Sequence, residues 1–325
     1  MKLAPNALVP LIAAVRESAG LATKREIRPA ARHLGLSAAA VQNGDDAAAL
    51  PEPDGTFTLF AAEGMQPAFV AAEPYFAGLC AVLTNVSDIA AMGGRPRAIV
   101  DVLWAGDSTA HTRALLDGLA AGSQLFQVPI VGGHTGRSSG RPQLCAAIVG
   151  RARKLISAFA ARPGQVILCC VDLNGSFRGA SLHFDAMSGA DPRALRDKLE
   201  LLPQLAEAGL CAAGKDISMA GILGTLLMLL ETSGCGAQVD LAALPAPGHA
   251  VHEPQRWLEA FPSYGYLLAV EPEHAETVIA RFAAHGVAAS VIATLTRERA
   301  LDVHYQQERA CYWDLAREPL MGFGS

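Results

Sequence analysis

Five places in this chain put carboxylates or bare glycine amides where they could handle a hard cation and phosphate oxygens. They are Asn43-Gly44-Asp45-Asp46, Glu63, Asp88, Gly132-Gly133-His134-Thr135 and Asp216. Two adjacent carboxylates ahead of the small run Ala47-Ala48-Ala49 can present oxygen ligands to a divalent ion while small neighbours let phosphate approach. A glycine turn offers unobstructed N–H groups for phosphate oxygens. Each spot also has a bland reading. Asn-Gly-Asp-Asp is ordinary turn chemistry, a lone Asp on a helix is usually solvated, and a His after two glycines is more often structural than a ligand. It is the set that is specific. There is no GxxxxGK[ST] phosphate loop and no GxGxxG fingerprint, so any nucleotide must be held through carboxylate-bound ions rather than a phosphate-loop lysine.

The elements that must position these groups follow from periodicity. Leu79, Val82, Val86 and Ile89 recur at helical spacing and predict a helix from Pro74. Thr84, Asn85 and Asp88 fall on a separate polar stripe of it. Gly93-Gly94 is expected to stop that helix, Arg95-Pro96 to turn the corner, and 98–104 to form a strand. Further strands are expected at 56–62, ending at Glu63, at 128–131, running into the Gly-Gly-His turn, and at 144–150. Helices are expected at 109–126 and over much of 1–40. The order is that of an α/β layer. The basic, proline-containing stretch 151–164 reads as a boundary between domains 1–155 and 156–325. The second half predicts strands at 166–171, 237–241, 264–270 and 287–294. It predicts helices at 191–208, 219–232, 254–260 and 273–284, with Asp216 at the start of the strongly apolar 219–232 helix.

Bulk properties narrow the class. At 325 residues, with 51% hydrophobic and 18% charged residues, two ordinary domains are expected. A net charge of −5 without a basic run argues against nucleic acid and anionic membranes. No apolar run is long enough to span a bilayer. The seven scattered cysteines, none in a CxxC pair, and the absence of a leader pattern read as reduced thiols in a cytoplasmic protein.

The segments NGDDAAAL, NVSDIAAMGGRP and VGGHTG, in this order, resemble the superfamily of aminoimidazole ribonucleotide synthetase, thiamine-monophosphate kinase, hydrogenase-maturation carbamoyl dehydratase and selenophosphate synthetase. The segment KDISMAGILGTLLMLLETSGCGAQVDLAALP is similar to the Asp-initiated helix of selenophosphate synthetases, and the likeness covers roughly residues 40–300. It implies a two-domain PurM-like fold: an N-terminal mixed sheet with helices that forms a homodimer, and a C-terminal α+β domain. It also implies ATP and Mg²⁺ as cofactors and a small-molecule substrate. By motif position, Asp45 or Asp46, Asp88 and Asp216 are the expected metal ligands, and Glu63 is a further carboxylate long enough to reach a cation. Asn85, Gly132, Gly133 and Thr135 are expected at the nucleotide, and His134 is the expected catalytic group.

Some positions depart from these relatives. Thiamine-monophosphate kinases carry Asp where this chain has His134 and Met219, and selenophosphate synthetases need an early Cys or selenocysteine, whereas here the first cysteine is Cys80. Both relatives usually read Thr-Asp where this chain has Ala62-Glu63. The expected activity is therefore ATP-dependent phosphoryl transfer or ATP activation in a separate branch. The alternative is a catalytically idle nucleotide-binding dimer with a regulatory role.

Overall fold

The computed structural model describes residues 1–36, 41–137 and 140–323. The chain forms two compact units. One comprises 46–154 and 191–203; the other comprises 1–45, 155–190 and 204–325. Two segments thus cross the expected linear boundary: the first 45 residues cluster with the second half, and 191–203 with the first.

The smaller unit is a five-stranded sheet of order β1-β2-β5-β3-β4. Its strands are β1 (Ala48–Pro51), β2 (Phe57–Met65), β3 (Gly94–Ala105), β4 (Ile130–Arg137) and β5 (Gln143–Ala152). All pairs are antiparallel except β3 with β4, whose crossover carries helix α6 (Thr109–Phe126). The expected helix is α5 (Pro74–Ala91), preceded by a short α4 (Pro67–Ala72). Pro74 sits in its first turn, where a missing N–H costs nothing. Gly93 has φ +73° and ends it. Gly94 already belongs to β3, so the anticipated Arg95-Pro96 corner lies inside a strand, with a register shift between Pro96 and Ala98. The segment 191–203 joins this unit through Arg95, whose guanidinium grips the Glu200 carboxylate, and Arg196, which donates to the Leu125 carbonyl.

The larger unit has a seven-stranded sheet, order β14-β13-β10-β12-β6-β11-β9. These are β6 (Val166–Val171), β9 (Ala213–Asp216), β10 (Gly236–Asp240), β11 (Gly265–Val270), β12 (Ala288–Thr296), β13 (Ala300–Tyr305) and β14 (Glu308–Asp314). A small hairpin of β7 (Ser176–Phe177) and β8 (Phe184–Asp185) lies between β6 and helix α7 (Pro192–Glu207). Helix α8 (Gly221–Ser233) is buried from Gly221 to Thr232 and ends at Gly234 in the left-handed conformation. The helices α1 (Leu8–Arg16), α2 (Ala19–Arg25) and α3 (Ile27–His33) belong to this unit as well. Two further helices, α9 (Pro254–Leu258) and α10 (Ala275–Ala283), fall where expected. Asp216 closes strand β9 rather than opening a helix; Ile217 to Ala220 intervene, with the Ser218 N–H taken by the Thr225 hydroxyl and Gly221 turning with φ +69°. All seven cysteines are free, and five of them are buried. Among the described residues no helix is long and apolar enough to cross a membrane.

Candidate functional site

Side-chain alternation sorts the five-stranded sheet into two faces. Ile99 and Leu103 of β3, Leu144, Ala146 and Ile148 of β5, and Leu59 and Ala61 of β2 are buried on one face. Helix α5 covers it, for a Cβ on Gly150 would lie 2.4 Å from Ile89. Asn85 is three residues N-terminal to Asp88 on this helix, and both are buried. The solvated-stripe reading of Asp88 therefore fails: the carboxylate is only 6% exposed.

Asn85 fixes where the stripe meets the sheet. Its Nδ2 donates to its own helix at the Ala81 carbonyl, 2.8 Å, and to the Ala146 carbonyl of β5, 3.3 Å. Ala146 is paired with Glu63 on one side and Asp101 on the other, and Asp101 is paired in turn with Gly133. Residues opposite one another share a face. Glu63, Ala146, Asp101 and Gly133 thus form one row across four strands, on the side that meets Asn85. Both carboxylates of the row are half-buried, and burial raises the Asp101 pKa above the ordinary carboxylate value. The Oδ1 of Asn85 is buried and has no hydrogen-bond partner among the described residues, which leaves an acceptor beside the row for a bound donor.

The row also packs Gly133 against Asp101. Residues 130–137 are strand, not turn, so the Gly-Gly amides belong to the sheet edge rather than to a phosphate-cradling loop. A Cβ on Gly133 would lie 2.4 Å from the Asp101 carbonyl oxygen and 2.6 Å from its Oδ1. Gly133 is the seat on which the Asp101 carboxylate rests. Gly132, with nothing within 4 Å of its Cβ position, has no such constraint. Gly133→Ala should therefore destabilise by about 1–3 kcal/mol through overpacking against backbone, while Gly132→Ala stays within about 0.5 kcal/mol. Urea unfolding of the two variants measures the difference, and equal effects would contradict this packing.

Alternation places His134 elsewhere. Its strand neighbours Gly133 and Thr135 take the row's face; His134 takes the other, opposite Val102 and with its ring 6.0 Å from that of Trp104. The sequence reading put this imidazole with the phosphates; the structure puts it on the open face, away from Glu63, Asp101 and Asn85.

The remaining expected ligands divide between the units. Asp46 is half-buried at the start of the smaller unit. In the larger unit, Asp45 accepts from the Ser157 hydroxyl at 2.7 Å and from the Ala158 N–H. Asp216 is buried and accepts from the Ser263 hydroxyl at 3.0 Å. Its neighbour Lys215, also buried, donates to the Gly44 carbonyl at 3.1 Å. The sequence reading missed Asp101, Lys215 and Ser263. For Asp101 a signal existed, a lone carboxylate inside an apolar strand; for the other two there was none.

Among the described residues no three His, Cys, Asp or Glu side chains are already gathered as a metal site. That donor set still suits Mg²⁺, which takes one or two carboxylates and completes its shell with water and substrate phosphates.

Residues 44–152 match the model of the AIR synthase related protein N-terminal domain, and residues 162–306 match that of its C-terminal domain. The chain belongs to the AIR synthase-related family. An uncharacterised protein of Synechocystis is 44% identical over 321 residues, 97% of this chain and 98% of that protein. The thiamine-monophosphate kinase of Caulobacter vibrioides is 27% identical over 288 residues, covering 81% of this chain and 80% of that one. Thermotoga maritima PurL, solved in complex with ADP, superposes with a TM-score of 0.69 at 26% identity. That match covers 83% of this AIR synthase-related chain but 45% of the PurL chain, so this chain spans about half the length of PurL. The PurM-like two-domain fold implied by the sequence motifs is thus the fold of the protein, and the family includes enzymes that use ATP.

Proposed function

We propose that this AIR synthase-related protein is an ATP-dependent phosphotransferase or ATP-activating enzyme acting on a small molecule. In this reading the triphosphate lies on the helix-facing side of the five-stranded sheet. What supports it is the row Glu63–Ala146–Asp101–Gly133 with the Asn85 amide bonded to its centre. Two half-buried carboxylates share one row, and the buried Asn85 Oδ1 beside it has no hydrogen-bond partner among the described residues, which is costly unless a ligand or water uses it.

One or two of the carboxylates Glu63, Asp88, Asp101 and Asp46 would hold Mg²⁺, with water and triphosphate oxygens completing its shell. When bound, Mg²⁺ neutralises the triphosphate and makes its phosphorus accessible to in-line attack. Thr135, exposed on the row's face, would orient the phosphate oxygens. Asn85, fully buried, would position the row through its bond to the Ala146 carbonyl. Asp45 and Asp216, hydrogen-bonded within their own unit, order its loops. His134 takes no catalytic part; it belongs to a face that a second copy of the chain covers.

Asp101 gives a test with a sign. Its folded-state pKa is raised, so ionisation there opposes folding above the ordinary carboxylate value. Removing the charge by Asp101→Asn should stabilise the metal-free protein at neutral pH by up to about 1 kcal/mol, discounted because the group is half exposed. The advantage should vanish as pH falls below the ordinary carboxylate range, where wild type is protonated as well. Mg-ATP affinity should fall in the same variant. Functionally, steady ADP release from Mg-ATP in the presence of a small-molecule cell extract supports the enzyme. Stoichiometric binding without release favours the idle nucleotide-binding dimer, and absence of Mg-ATP binding overturns both.

A further inference from the structure

The last turn of α8 binds three separate pieces of the larger unit, and one of them is the Asn43–Asp45 segment. Glu231 is 2% exposed on a helix otherwise lined by leucines, and a buried carboxylate must be paired or hydrogen-bonded. Three successive backbone N–H groups do this: Leu320 at 2.8 Å, Met321 at 2.7 Å and Gly322 at 3.2 Å. They form a concave nest around the anion. Gly322 is in the left-handed region, φ +80°, which curves the segment so that its amides converge.

The next two residues of the same turn reach another piece. The hydroxyls of Thr232 and Ser233 both donate to the Ala158 carbonyl, and Ser233 Oγ accepts from the Ala161 N–H at 3.1 Å. Ala158 in turn donates its N–H to the Asp45 carboxylate, whose other oxygen is held by Ser157. The two pieces meet at Gly44. A Cβ there would lie 2.8 Å from Thr232 Cγ2, 3.3 Å from the Phe159 ring and 3.3 Å from Phe323 Cβ. Gly44 is therefore packed between the helix end, the 157–159 turn and the segment that Glu231 holds.

We infer that Glu231 is a positioning residue for the Asp45-Asp46 carboxylates, acting through the strap 320–323. The strap closes over Gly44, and its closure sets the backbone conformation of the Asn43–Asp45 segment that leads into Asp46. This deepens the proposed function, since it assumes that Asp46 serves the Mg-ATP site. The segment 320–323 then acts as a latch on ligand affinity while lying outside the ligand site itself. Any event that draws it off Glu231 loosens the Asp45-Asp46 segment without touching the sheet that carries Glu63 and Asp101.

The test is hydrogen exchange by mass spectrometry on the nucleotide-free full chain, followed by Mg-ATP titration. Glu231→Gln keeps the side chain's size but replaces one acceptor oxygen with an N–H₂ group facing backbone donors. It should speed exchange at least tenfold in residues 43–47 and 320–323, leaving β6 and β11 unchanged. A chain shortened to residues 1–319 should show the same acceleration at 43–47, and adding Glu231→Gln to it should add little. Phe323→Ala, the mildest change, leaves the nest intact and should loosen 43–47 alone. All three should weaken Mg-ATP binding at least threefold.

Acceleration confined to the strap, or spread evenly through the larger unit, overturns the inference. So does unchanged exchange at 43–47 in Phe323→Ala and whichever other variants fold. If wild type binds no Mg-ATP, the proposed function fails while the coupling between Glu231 and 43–47 is still read from exchange alone.

Discussion

Asp88→Asn is expected to reduce Mg-ATP affinity by at least about tenfold while the protein stays folded. The side chain keeps its volume in a buried setting, so packing against the sheet is preserved. What changes is charge: an amide oxygen is a weaker ligand for a hard cation than a carboxylate, and even outer-shell changes at metal sites cost about 10–100-fold in affinity. Removing a buried negative charge also lowers its desolvation cost, so thermal stability without nucleotide should hold or rise. That pairing, lost affinity with kept stability, separates a ligand from a structural carboxylate, whose removal would lower stability and leave affinity alone. Calorimetric titration with Mg-ATP and a melting curve without it decide the matter. An unchanged titration would remove Asp88 from the site.

The second large effect concerns the uncovered face of the same sheet. Phe60 is 52% exposed, Val100 41% and Trp104 38%, and by alternation all three lie on the face opposite the one that α5 covers. An exposed apolar face of this extent marks an interaction surface, and the two-fold dimer proposed for the protein would place a second copy of the same sheet on it. Val100→Glu places a charge near the middle of that face. In a monomer the change costs little, because the position is already exposed. In a dimer it buries an unpaired carboxylate, a penalty of several kcal/mol, so the dissociation constant should rise at least about 100-fold. Sedimentation velocity at micromolar concentration should show wild type as a dimer and the variant as a monomer with unchanged circular dichroism. A monomeric wild type would refute the dimer, and a dimeric Val100→Glu would place its interface elsewhere.

Much of the architecture was legible because it depends on local chemistry. The apolar spacing of Leu79, Val82, Val86 and Ile89 required α5, and Gly93 its end. The unbroken run from Ile222 to Leu230 required a buried α8. Those periods survive folding because burying one face of a helix is favourable wherever the helix lands. The strands of the first half were legible for the same reason. The hairpin of β13 and β14 was not, since its residues alternate with too many charges to read as a strand pair.

The sequence by itself determined the family, the helices and strands that carry the carboxylates, and the presence of Asp45, Asp46, Glu63, Asp88 and Asp216 among them. Only the tertiary structure decided which of those groups face one another. Strand register put Asp101 in the row with Glu63, and side-chain alternation sent His134 to the opposite face. Backbone approach set Gly133 directly against the Asp101 carboxylate. Long-range hydrogen bonds, over separations of 112 residues for Ser157 with Asp45 and 171 for Lys215 with Gly44, tied the Asn43–Asp45 segment to the second half of the chain. The physical reason is common to all of them. Propensity and periodicity act within a few residues, whereas register and packing are set by partners far away in the chain, which no local pattern encodes.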